Sequence, residues 1–73
     1  MGAVEARRQF AHNLRAQRER QGLSQEELGY ASQLHRTEIS LLERAGRDPR
    51  LSTIVRLARG LNIPAARLLR GID

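Results

Sequence analysis

Arg36, Thr37, Ser40, Leu41 and Arg44 are the residues whose types and spacing suit chemistry best, and that chemistry is recognition. On a helix at about 100° per residue, turning Ile39 and Leu42 inward clusters Thr37, Ser40, Leu41 and Arg44 on the opposite face, with Arg36 at its margin. Arginine pairs bidentately with guanine O6 and N7, a contact worth about 1–3 kcal/mol of discrimination. Thr37 offers a hydroxyl or a methyl. An outward Leu41 can meet a thymine methyl, or it is one of the exposed leucines common on protein surfaces. Glu38 can accept from cytosine N4 or cap the start of its helix, and the cap is the preferred role. Ser40, Arg44 and Arg47 also suit neighbouring phosphates, which position a protein without reading sequence. Arg7, Arg8 and Arg15 are weaker candidates, because an exposed arginine on a helix is more often a solvated face.

Catalytic constellations are missing by comparison. His12 and His35 are the only histidines, there is no cysteine, and no carboxylate pairs with a histidine at metal-ligand spacing. Ser24 is better explained as a helix cap than as a nucleophile. No enzyme and no cofactor is expected.

The elements that must position the recognition residues follow from the patterning. Ser24 precedes a helical run and Glu27 follows three residues later, the capping-box arrangement. Leu28 and Ala31 share one face, the pattern breaks at Ser32-Gln33, and it resumes from Leu34 with Ile39 and Leu42. Two short helices joined by a tight turn make a helix-turn-helix, whose second helix can enter a DNA major groove with its first residues against base edges. Upstream, Ala3, Ala6, Phe10, Leu14 and Gln17 mark one side of a helix over residues 3–21, which Gly22 is placed to end. Downstream, Gly46, Asp48 and Pro49 mark a loop and Ser52 is the expected cap of a fourth helix. That helix carries Ile54, Leu57, Ala58 and Leu61 inward, and Asn62 terminates it. Pro64 opens a last short helix with Ala65, Leu68 and Leu69 apolar, and Gly71 closes it.

Arg18 and Glu43 each sit on the shoulder of an apolar stripe. Their signs are opposite, so an ion pair between them would satisfy both; otherwise the two side chains reach solvent independently.

Length and composition agree with this scheme. A chain of 73 residues makes one domain, 1–73, with a thin core. Net charge is +5 and all 13 basic residues are arginine, which points to a polyanion or to a genome that favours arginine for any solvated charge. With Phe10 and Tyr30 as the only aromatics, no stacking platform for single strands exists. No apolar run approaches the roughly 20 residues of a membrane span, and no signal-peptide core is present, so a cytoplasmic protein is expected.

Phe10 and Leu14, RERQGLSQEEL from Arg18, LHRTEISLLER from Leu34 and PRLSTIVRLARGLNIPAARLL from Pro49 together resemble the phage lambda-repressor-like (Xre) family of helix-turn-helix regulators. RTEIS followed by LER looks especially like the controller proteins of restriction–modification systems. The resemblance implies an all-α, compact five-helix lambda-repressor-like DNA-binding domain with the helix-turn-helix as helices 2 and 3. It implies a transcription regulator bound to a double-stranded, palindromic operator. Base contacts would come from Arg36, Thr37, Ser40 and Leu41, and phosphate contacts from Gln25, Arg44 and Arg47. It further implies a homodimer, for which Ile63, Leu69 and Ile72 are interface candidates with core packing as their other explanation, and it admits a contact with RNA polymerase. Three positions depart from the family pattern. Gln33 stands where glycine is common in the turn, so it must adopt positive φ; Gly29 replaces alanine; and His35 replaces the usual Asp, Ser or Thr cap. The alternative function is a protein–protein adaptor on the same fold, docking an acidic partner through its arginines and Leu41.

Overall fold

The computed structural model describes all 73 residues as five helices and no strand. They are α1 (Ala3–Arg20), α2 (Gln25–Ser32), α3 (Arg36–Glu43), α4 (Leu51–Leu61) and α5 (Ala65–Leu68). Phe10 and Leu14 of α1, Leu28 of α2, Ile39 and Leu42 of α3, Ile54, Leu57, Ala58 and Leu61 of α4 and Leu68 of α5 form one core. α2 packs against α4 and α3, and α3 packs back onto α1. α3 is therefore gripped on two sides.

Four helices end in the same way, with a residue at positive φ whose successor donates its N–H back across the last turn. Leu23 donates to Arg18 O, Leu34 to Gly29 O, Gly46 to Leu41 O and Ile63 to Ala58 O, at 2.8–3.1 Å. The left-handed residues are Gly22, Gln33, Ala45 and Asn62. Gln33 takes this conformation as the turn requires. Ala45, expected only to lie in a loop, carries the left-handed residue itself, one position before Gly46.

Two glycines set how closely the helices approach. A Cβ on Gly29 would stand 2.6 Å from the Leu34 carbonyl oxygen, and one on Gly60 would overlap the Ser32 hydroxyl. The α2–α3 turn and the α2–α4 crossing both use the space those side chains lack.

Other expectations shift in detail. α1 buries Ala11 and Asn13 beside Phe10, Leu14 and Gln17, while Ala3 is exposed. Asn13 is held by bonds to the Leu68 and Arg70 carbonyls and accepts from Gln9, so α1 is tied to the chain beyond α5. Ser52 does not cap α4. The helix begins at Leu51 with Arg50, in extended backbone, in the cap position and no side-chain cap bond.

Candidate nucleic-acid interface

The α2–α3 turn delivers Arg36 and Thr37 to the start of α3 as exposed residues. His35 caps that start: its Nδ1 accepts from the Thr37 N–H at 3.0 Å. Glu38, expected to cap the same helix, does something else. Its Oε1 lies 2.6 Å from Nη1 of Arg47, which reaches back from the α3–α4 loop. The imidazole already occupies the orphan donor, and a guanidinium is a stronger partner for a carboxylate than a backbone N–H. Arg47, expected at a phosphate, is thus engaged inside the protein through one of its nitrogens.

Further along α3, Ser40 and Leu41 are half-buried rather than fully outward. Leu41 leans over the helix end, where its Cδ1 fills the space that a Cβ on Gly46 would take. One edge of Leu41 is therefore covered by its own chain while the rest remains on the outward face of α3. Arg44 is exposed, with its Nε 3.3 Å from the Ser40 carbonyl. Arg36 approaches Glu26 only to 3.9 Å, with both side chains well exposed, so this pair constrains neither.

The orientation of α3 is fixed from the inside. Arg18 binds Glu43 through two nitrogens, at 2.6 and 3.0 Å, and spends a third donor on the Leu23 carbonyl at 2.7 Å. The arginine side chain is 12% exposed and the glutamate 4%. The hydrogen bond to Glu43 holds the Arg18 guanidinium in its charged form more firmly than usual, against the opposing effect of burial. Gln25 completes the network by donating its side-chain amide to Glu43 Oε1 at 3.1 Å. Gln25, expected at a phosphate, is half-buried and faces α3, so it offers DNA its backbone N–H and only its remaining amide hydrogen.

That backbone group belongs to the second feature of this face, the start of α2. Ser24 accepts from the Glu27 N–H, and Glu27 accepts from the Ser24 N–H, at 2.9 and 2.8 Å. These bonds from Ser24 hold the exposed Glu27 carboxyl below the usual carboxylate range. The N–H groups of Gln25 and Glu26 have no helical acceptor and remain available to an anion.

The three dimer candidates do not form one exposed patch. Ile63 and Ile72 are half-buried and pack against the core, and only Leu69 stands out, at 39% exposed. Leu69 and Ile72 line a shallow groove with Ala6, Phe10 and Pro49 between α1 and the end of α5. No group of three or more acidic or histidine side chains is arranged to hold a metal ion, and no helix is long and apolar enough to cross a membrane.

Known proteins share this geometry. A helix-turn-helix family model matches residues 14–68. The control protein C.SmaI of Serratia marcescens is 45% identical over 60 residues, covering 82% of this chain and 71% of that protein. The restriction-modification controller protein C.AhdI of Aeromonas hydrophila is similar in structure, with a TM-score of 0.83 and 37% identity over 85% of this chain and 94% of that one. A hypothetical transcription factor, NHTF, from Neisseria superposes with a TM-score of 0.85 and 36% identity, covering 94% of this chain and 79% of its own.

Proposed function

The chain belongs to this helix-turn-helix family and is a sequence-specific DNA-binding regulator, and from that premise we propose how it reads its site. α3 lies in the major groove. Arg36 and Thr37 contact base edges at its start, with Ser40 and the free edge of Leu41 beside them. The observation that carries this is the exposed Arg36-Thr37 pair on a helix whose orientation is fixed by the Arg18–Glu43–Gln25 network. Fixed donors on a rigid element are what base discrimination requires.

Arg44, the free N–H groups at the start of α2 and the outer nitrogens of Arg47 hold the flanking phosphates. Arg47 has to remain bonded to Glu38 while it does so, or Glu38 would meet the phosphates as a bare charge. One reading helix buries too little surface for tight specific binding, so a homodimer spans two half-sites about 34 Å apart, and the operator is palindromic. Leu69 and Ile72 are the interface candidates with exposed or groove-lining surface; Ile63 serves the core. We also propose a single domain, a cytoplasmic location, a contact with RNA polymerase and a binding role without a catalytic step.

Two measurements test this. Affinity for random duplex should fall linearly in log salt, whereas an adaptor would show no duplex affinity even at low salt. Selection from randomised duplex should then recover a palindrome. Enrichment of no sequence would overturn base reading.

A further inference from the structure

His35 is the one side chain that caps the reading helix, and it does so with an imidazole nitrogen. Nδ1 can accept the Thr37 N–H only while it carries a lone pair. Glu38, three residues into the helix, gives no second cap, because Arg47 holds it. The groups facing His35 are Glu26 and Tyr30 of α2 and Arg36 of α3, which line the same hollow. None of them forms a hydrogen bond or ion pair with the imidazole. Glu26 stands nearest to Arg36 instead, at 3.9 Å.

We propose that His35 is a positioning residue for DNA reading, and that its cap makes sequence discrimination sensitive to protonation. The inference rests on the assignment of α3 as the reading helix. A protonated imidazole has no acceptor for Thr37 and places positive charge at the positive end of the helix dipole. Both effects loosen the turn that presents Arg36 and Thr37. The added charge also strengthens attraction to any phosphate backbone, whatever the sequence. The two consequences act on discrimination in the same direction. The ratio of operator to random-duplex affinity is full while Nδ1 carries its lone pair and falls once that nitrogen is protonated.

The test compares wild type, His35→Asn and His12→Gln, using the duplex recovered by selection and a shuffled duplex of equal length. Asparagine caps well and does not titrate; His12 is the only other histidine and lies exposed on α1. Between about pH 8 and about pH 5.5, the affinity ratio should fall about five-fold in wild type and in His12→Gln, the equivalent of one lost cap, and stay level in His35→Asn. In the free protein, the Thr37 amide resonance should move with pH in wild type and not in His35→Asn. A wild-type ratio independent of pH, a fall that survives in His35→Asn, or a Thr37 amide indifferent to pH each overturns the proposal. If the Thr37 amide titrates but wild type does not discriminate at about pH 8, α3 is not the reading helix, and the proposal falls with that assignment.

Discussion

Between Ser24 and Arg44 two arginines stand against four glutamates, a net −2; between Arg50 and Asp73 five arginines stand against one aspartate, a net +4. The helix-turn-helix is the acidic part of a basic protein. Their glutamates are nearly all occupied: Glu43 by Arg18 and Gln25, Glu38 by Arg47, and Glu27 by the Ser24 backbone. The arginines of α4 and α5 have no carboxylate partner in ion-pair contact. Charge does two jobs here, in two places. The scaffold arginines leave the molecule with a net charge of +5, which attracts a polyanion without choosing its sequence. Carboxylates in the helix-turn-helix fix side chains, and on the proposed reading fixed side chains choose.

The sharpest way to break this division is to free one half of the buried pair. Glu43→Ala strands the Arg18 guanidinium and should destabilise the protein by about 3–5 kcal/mol in urea unfolding. An unchanged midpoint would mean that solvent reaches Arg18. Gly29→Ala should cost about 1–3 kcal/mol, because the new methyl meets a backbone carbonyl and the α2–α3 turn has to open. Arg36→Ala should leave stability alone and relax one base position per half-site by about 1–3 kcal/mol, read by competition among single-base variants of the selected duplex. Arg44→Ala should weaken all duplexes alike and reduce the log–log salt slope by about 1. The smallest effect has the opposite sign: Ala45→Gly relieves a left-handed alanine and should stabilise by about 1 kcal/mol, seen as a raised Tm.

Most of this scaffold was legible because its determinants are local. Apolar spacing gave five helices, and Gly22, Gln33 and Asn62 marked three of the four left-handed ends. Arg18 and Glu43 were visible because each sits on the shoulder of an apolar stripe with a sign that needs an answer. Ala45 was not, since alanine has no preference for positive φ and its neighbours marked only a loop. Glu38 misled because its place three residues into a helix matches a cap, while its actual partner arrives from a loop nine residues on. Asn13 carried no signal at all: its acceptors lie 55 and 57 residues away, and only the closed fold brings them to it. Leu41 was half read, outward by periodicity yet turned over Gly46 by the way the helix ends.

Methylation interference on the selected duplex tests the central claim most directly. If the outward face of α3 reads base edges, N7-methylguanine in the major groove should abolish binding in two clusters about one helical turn apart, and N3-methyladenine in the minor groove should be tolerated at those positions. Interference confined to the minor groove, or none from guanine N7 at any position, would contradict it.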